Sequence, residues 1–326
     1  MKIVITGGAG FLGQKLARRL LQRGEIAAKD DGVRRPIDQI VLVDRIMPPD
    51  LGDPRIRAVS ADITDAGVMS AVLAPDVDLI FHLAAIVSGA AEADFDLGMS
   101  INLDASRRLL DLVRAAGHKP RVVFTSSVAV YGGDLPDRVT DQTQLDPRSS
   151  YGVQKAIGEL LLADYTRKGF IDGRILRLPT ISVRPGAPNK AASSFASGLI
   201  REPLNGQVAV CPVGRDLRLW LLSPRAAIDS IVAGAELASS ALGNRRALNL
   251  PGLSVSVGEM IAALERAGGR AAVDLIRFEP DPVIEAIVGS WPGAWDASRA
   301  LGFGLKADAD FDAIVRAYIE DDLPQT

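Results

Sequence analysis

The sequence predicts an α/β fold: a doubly wound parallel sheet with a smaller region toward the C-terminus. Three observations predict it. Short β-branched runs alternate with longer amphipathic stretches up to about residue 180, the pattern of strands covered by helices. Several of those runs are apolar nearly throughout, as strands buried on both faces are. A glycine-rich turn, "TGGAGFLG", joins the first run to the first helical stretch.

In chain order, strands are expected at 2 to 6 (KIVIT), 39 to 44 (QIVLVD), 56 to 62, 77 to 84, 121 to 127 and 173 to 179. Helices are expected at 11 to 23, 65 to 73, 92 to 117 and 151 to 168. The run "EIAAKDDGVRRPID" reads as an insertion between the first helix and the second strand. Beyond Pro179 the chain turns rich in Pro, Gly, Asn and Ser, and such loops beside a rigid sheet are where substrate sites tend to sit. A helix at 225 to 240, a strand at 246 to 252, a helix at 257 to 267, a strand at 273 to 279 and a helix at 311 to 322 complete the reading. The expected division is a dinucleotide-binding domain over 1–179, with some later segments returning to it, and a mainly substrate-binding region over 180–326. No internal repeat or low-complexity tract is visible.

A chain of 326 residues buries a sizeable core without covalent staples. Its single cysteine, Cys211, cannot form an intramolecular bridge, which points to a reducing compartment and a packed thiol. The net charge of -3, with both signs spread along the chain, argues against nucleic acid or an anionic membrane as the main partner. No cleavable signal pattern and no membrane-length apolar run are visible, so a soluble, cytoplasmic protein acting on small molecules is expected. The two histidines, His82 and His118, lack Cys or His companions at ligand spacing, so no metal site is expected. His82 reads as a structural residue at a strand end and His118 as exposed.

The turn carries Gly7, Gly8, Gly10 and Gly13, which satisfy both GxxGxxG and GxGxxG between a strand and a helix opened by Phe11 and Leu12. Glycines there allow a tight turn and close approach of a pyrophosphate to the free N–H groups of a helix start, the device of Rossmann-type folds. Asp44 ends the second strand, where a carboxylate accepts from the adenosine ribose hydroxyls and repels a 2'-phosphate. NAD is therefore the expected cofactor rather than NADP. Asp44 lies 31 residues after Gly13, further than the ~20 usual for this pattern, and Arg45 beside it weakens the exclusion of NADP. Asp62 and Ile63, after the third strand, serve either as adenine contacts or simply as a polar strand end.

"SSYGVQK" places Tyr151 and Lys155 four residues apart at a helix start. Residues so spaced share a helix face, and alone the pair reads as ordinary surface. Taken together, "TGGAGFLG", "HLAA" at 82 to 85, "SSVAVYG" at 126 to 132 and "YGVQK" at 151 to 155 resemble the extended short-chain dehydrogenase/reductase family, also called the NAD-dependent epimerase/dehydratase family. That resemblance runs over essentially the whole chain. It implies that Tyr151, Lys155 and Ser127 converge on the nicotinamide and that Ser126 lies near the substrate. It also implies that Leu83, Ala84, Asn102 and Pro179 border the cofactor, with Asn102 supporting the lysine through its backbone and water; the competing reading of Asn102 is a helix polar residue. Oxidising an alcohol removes a hydride from carbon and a proton from oxygen, so a base must touch the hydroxyl. A free phenol, with pKa ~10, is a poor base at neutral pH. A nearby ammonium and the positive nicotinamide ring are expected to depress its pKa.

Nucleotide-sugar members of the family carry an Arg-Tyr-Phe-Asn-Val-Tyr-Gly-Pro type segment. This chain has "RLPTISVR", with Thr180 at the asparagine position and Arg184 where proline is usual. Their Arg-Asp-Phe-Val-His-Val-Asp-Asp pattern is replaced by "RLWLLSPR", which keeps Arg218 and loses the acidic pair. These runs instead resemble the D-erythronate dehydrogenase branch, which acts on four-carbon sugar acids. A small acid needs a cation and hydroxyl partners, drawn from Arg184, Lys190, Arg215 and Arg218 with Ser126, Thr180, Asn189 and Ser193. Arg218 is the first candidate for the carboxylate and Arg184 the second. For any single arginine, a surface salt bridge is the competing reading. The resemblance implies oxidation of the C2 hydroxyl to a 2-oxo acid; a nucleoside-diphosphate-sugar 4-epimerase or dehydratase is the alternative. The expected partner is a small-molecule sugar acid, and a homodimer is the candidate assembly.

Overall fold

The computed structural model describes residues 1–323. Seven parallel strands form the main sheet, in the spatial order Ala247–Asn249, Asp172–Leu178, Arg121–Ser127, Leu79–His82, Lys2–Thr6, Gln39–Asp44, Ile56–Ser60. The chain starts in the middle, builds outward to one edge and then crosses back to build the other. This reversal opens a crevice at the carboxyl ends on both sides of Lys2–Thr6. Along that strand the side chains alternate: Ile3 and Ile5 enter one core and Val4 the other.

On the first face lie the Phe11–Arg23 and Pro224–Glu236 helices, whose Leu16, Leu20, Ile228 and Ile231 are buried with Ile3, Ile5 and Phe81. On the second lie Ala105–Ala116 and Ser150–Arg167, contributing Leu109, Val113 and Leu162. Each fully buried aliphatic side chain stabilises the fold by roughly 1.5–3 kcal/mol. A third core joins the sheet Thr180–Ile181, Arg218–Leu222, Leu253–Ser256 to the helices Ser194–Leu204, Val257–Val273 and Phe311–Asp321 around Trp220 and Trp295. No helix among the described residues is long and apolar enough to cross a membrane.

Several elements differ from expectation. The stretch 92 to 117 is not one helix. It comprises Ser88–Ala93, Phe95–Gly98, a π-helical turn Met99–Asp104 and Ala105–Ala116, broken where Asp94 turns extended and caps the next segment at Leu97 N–H. The helix Ser194–Leu204 lies in the region read as loops; its Ser, Gly and Pro residues mask a face on which Phe195, Leu199 and Ile200 are buried. The insertion pairs Glu25–Ile26 with Arg35–Pro36, and its Asp30 accepts from Arg121 Nη2 at 2.7 Å and from the Ser239 N–H at 2.8 Å. It thus braces the buried Arg121/Arg174/Asp172 cluster. Burial alone pushes Asp172 up, but Arg174 and Arg121 hold it down at about 2. His118 is half-buried rather than exposed.

The glycine turn shows why its residues lack side chains. Gly7 sits at φ 76, a left-handed conformation that side chains disfavour. A Cβ on Gly13 would lie 2.2 Å from the Gly7 carbonyl oxygen. Gly13→Ala is therefore expected to push the Phe11–Arg23 helix off the sheet and destabilise the protein by about 1–3 kcal/mol, read as a lower urea midpoint. Gly24→Ala, at φ 69 beyond the end of that helix and free of contacts, carries only the backbone penalty.

Candidate active site

A cavity of about 490 Å³ runs along the carboxyl ends of the strands, from Asp44 and Asp62 at one end to Tyr151, Lys155 and Arg184 at the other. Gly7, Gly10, Phe11 and Leu12 form its floor with Leu83 and Ala84, and Ile63, Pro179 and Ser127 also line it. A Cβ on Gly7 would meet the Ala84 nitrogen at 2.9 Å, so the glycine lets the turn pack directly against the Leu83–Ala84 backbone. Asp44 ties the cradle to its strand by accepting from the Ala9 N–H at 3.1 Å and the Ile46 N–H at 3.3 Å. Asp62 accepts from Thr64, whose backbone and hydroxyl hydrogen bonds hold its carboxyl below the ordinary range. A glycine cradle at a helix start, a carboxylate at the second strand end and an elongated cleft between them fit a dinucleotide.

At the other end, the Ser149 hydroxyl accepts from the Gly152 N–H and starts the Ser150–Arg167 helix. The first turn sets Tyr151 beside the strand end that carries Ser127. Burial pushes the Tyr151 phenol up to about 12, while a hydrogen bond with Ser127 and the Arg184 charge pull the other way. In the protein alone, burial outweighs both. Lys155 Nζ donates to the Thr125 carbonyl at 2.9 Å, with the Phe124 ring 4.6 Å and the Tyr151 ring 5.7 Å away. Burial brings this ammonium down to about 8 against the pull of Glu159.

Arg45 lines the end of the cavity near Asp44, while Arg184 joins Lys155 at this end. Its backbone N–H and Nε both donate to the Ser197 hydroxyl, at 3.0 and 3.4 Å, whereas its Nη2 is buried without a protein partner. Burial, reinforced by the Arg201 charge, brings it down to about 10, and Tyr151 pulls it back up. Thr180, Asn189 and Ser193 line the same end. Asn189 spends its side-chain oxygen on the Ala191 N–H at 2.9 Å.

Several expectations are corrected. Arg218 does not line the cavity: it lies on the surface, donating to the Ser254 hydroxyl and carbonyl and pairing with Glu259 at 3.1 Å. Ser126 borders the cavity, but its hydroxyl donates to the Glu159 carboxylate in the core. Asn102 is buried outside the cavity. It clasps the Ile86 backbone by accepting from its N–H at 2.7 Å and donating to its carbonyl at 3.1 Å, and it donates to Gln154 at 2.7 Å. Its effect on the site is to fix the loop that follows Leu83 and Ala84. Lys190 and Arg215 also fall outside the lining, and Arg215 stacks on Phe278. The sequence reading missed Trp291, which lines the cavity from the C-terminal part, and Glu159. For Glu159 the signal was present, since it continues the four-residue spacing of Tyr151 and Lys155.

A family model for the NAD dependent epimerase/dehydratase family matches residues 3–223. The chain belongs to that family. It is an NAD-dependent oxidoreductase of the dehydrogenase type, and NAD is its cofactor. The chain is 60% identical over 321 residues to the D-erythronate dehydrogenase of Cupriavidus necator, covering 98% of both chains. It is 45% identical over 325 residues to the D-erythronate dehydrogenase of Haemophilus influenzae, covering 99% of this chain and 100% of that one. A solved structure described as the nucleoside-diphosphate-sugar epimerase of Agrobacterium tumefaciens superposes with a TM-score of 0.91 at 46% identity, covering 99% of this chain and 94% of that one.

His82 closes the wall behind the cradle. Its neutral tautomer follows from a chain of hydrogen bonds: the Ala84 N–H donates to Thr6 Oγ1, and Thr6 to His82 Nδ1. His82 Nε2–H then donates to the Ser106 hydroxyl, which donates to the Asn102 carbonyl. Burial and then the Lys155 charge lower His82 from 6.5 to about 3. A depressed folded-state value means that its contribution is complete above pH 6.5 and is lost as pH falls toward 3. The thermal midpoint of the wild type should therefore drop over that window. His82→Gln, less stable at neutral pH, should lose less on acidification.

Proposed function

We propose that the protein oxidises the C2 hydroxyl of D-erythronate, or a close four-carbon sugar acid, to the 2-oxo acid. NAD supplies the hydride acceptor. Residues 1–179 serve mainly as the cofactor side and 180–326 as the substrate side. The observation that carries this reading is Arg184: a guanidinium with one buried, unpartnered nitrogen, close enough to Tyr151 for their charges to interact. An unpaired buried cation is unfavourable unless a ligand completes it, and a carboxylate is the ligand that a guanidinium fork fits. The identity to D-erythronate dehydrogenases supports the same substrate class.

In this reading Arg184 holds the substrate carboxylate and so brings the adjacent C2 hydroxyl to Tyr151. The Tyr151 oxygen takes the hydroxyl proton as the hydride leaves C2, and Ser127 donates to the substrate oxygen as its charge changes. Lys155, charged below about 8, favours the phenolate that this transfer needs. Thr180, Asn189 and Ser193 face the remaining hydroxyls. Trp291 supplies an apolar wall that helps keep water out.

The name of the Agrobacterium relative favours a second reading, nucleotide-sugar epimerisation. Against it stand Thr180 in place of the family asparagine and the surface pairing of Arg218.

Tyr151→Phe should lower turnover by roughly 10²- to 10⁴-fold, with folding and NAD binding retained. This is checked by kcat at saturating cofactor and by fluorescence titration. Arg184→Ala should lower kcat/KM for the acid by about ten- to hundredfold, the value of a charge-assisted hydrogen bond, and affect a neutral four-carbon polyol far less. Arg218→Ala should stay within about twofold of wild type, because exposed pairs contribute little. Equal losses on acid and polyol in Arg184→Ala would contradict the carboxylate assignment.

A further inference from the structure

The Ser150–Arg167 helix presents a third ionisable residue on the face that carries Tyr151 and Lys155. Glu159 is 4% exposed, and carboxylates are almost never buried to that extent unless paired. Its partner is Arg177, from the neighbouring strand Asp172–Leu178: Nε lies 2.9 and 3.1 Å from the two carboxylate oxygens, and Nη2 2.6 Å from Oε2. Arg177 is fixed in turn, donating to the Tyr131 hydroxyl and lying 5.1 Å from the centroid of the Tyr131 ring. The remaining contact of Glu159 is the Ser126 hydroxyl, one residue before Ser127.

We propose that Glu159 is a positioning residue for the Tyr151/Lys155 pair: held in place by the Arg177 fork, it is the counter-ion that keeps the buried Lys155 ammonium charged. The surroundings of Lys155 leave this task to Glu159. Strand Arg121–Ser127 offers Lys155 the neutral Thr125 carbonyl and the Phe124 ring. Strand Leu79–His82 offers His82, which burial keeps neutral. On its own helix the neighbours are the neutral Tyr151 phenol and Glu159, and beyond Tyr151 stands Arg184, another cation. Strand Asp172–Leu178 contributes Arg177, also a cation. Glu159 is the group that opposes the effect of burial on Lys155. Opposite charges four apart on a helix stand ~5–6 Å apart at Cβ, near enough for the carboxylate to favour the charged form of the lysine. Ser126, expected to meet the substrate, instead helps orient this carboxylate.

The inference rests on the proposed role of Lys155, so its test is read on the whole protein without substrate. Lysine labelled with carbon-13 at Cε is titrated by NMR, the Lys155 signal being assigned by its loss in Lys155→Met. Glu159→Gln keeps the shape and removes the charge, and should lower the Lys155 midpoint by about one pH unit or more. Glu159→Asp keeps the charge and should restore the midpoint to near the wild-type value. Should Glu159→Gln fail to fold, the double variant Glu159→Gln/Arg177→Gln is read against Arg177→Gln alone, so that the carboxylate charge is the one difference. A folded Glu159→Gln with the wild-type midpoint, or a double variant with the midpoint of Arg177→Gln, overturns the proposal. Failure to oxidise any four-carbon acid would count against the proposed substrate while leaving this titration unaffected.

Discussion

The site depends on one constraint, the parallel register of the main sheet. Parallel strands all end at the same edge, so the glycine turn after Lys2–Thr6, Asp44 at the end of Gln39–Asp44 and Ser127 at the end of Arg121–Ser127 are delivered to a common line without any loop having to reach. The reversal of winding beside the central strand leaves that line uncovered. What remains is to bring Tyr151, Lys155 and a cation to one end of it. The capped start of the Ser150–Arg167 helix and the turn after Thr180–Ile181 do this.

Burial then sets the electrostatics. It raises the Tyr151 phenol, lowers the Lys155 ammonium and the Arg184 guanidinium, and keeps His82 neutral. Each of these groups would be less perturbed in water, and each is perturbed in the direction that disfavours its charge. The wall behind the cradle uses neutral hydrogen bonds from Ala84 to Asn102, and the floor beneath Ser126 uses a full ion pair. The reactive end thus stands between a neutral network and a charged one. Groups of this kind, displaced from their ordinary ranges in a cleft, are what proton transfer requires.

The main sheet was legible in the sequence because strands buried on both faces are written as continuous β-branched runs; the helices over it were legible through their apolar spacing and capping residues. The cofactor end was legible too, since glycine positions and a strand-end carboxylate are local patterns. The substrate end was not. Arg184 and Arg218 look alike in sequence, and only tertiary packing decides that one meets Glu259 at the surface while the other faces Tyr151. Ser126 and Ser127 are adjacent, yet strand alternation turns one hydroxyl to the core. The helix Ser194–Leu204 hid behind Ser, Gly and Pro, which lower helix propensity but do not prevent a buried apolar face from holding a helix in place. Trp291 reaches the cavity from more than 100 residues beyond Arg184, a separation that no local pattern bridges.

The central claim is that this cleft carries out net oxidation of a small sugar acid rather than internal, redox-neutral isomerisation. The most direct measurement follows the absorbance of NADH when the wild-type protein and NAD are given D-erythronate, stereoisomeric four-carbon acids and nucleotide sugars in parallel. The account predicts one NADH per D-erythronate consumed and no interconversion of UDP-glucose with UDP-galactose. Interconversion of the nucleotide sugars, with no NADH from any four-carbon acid, would contradict it.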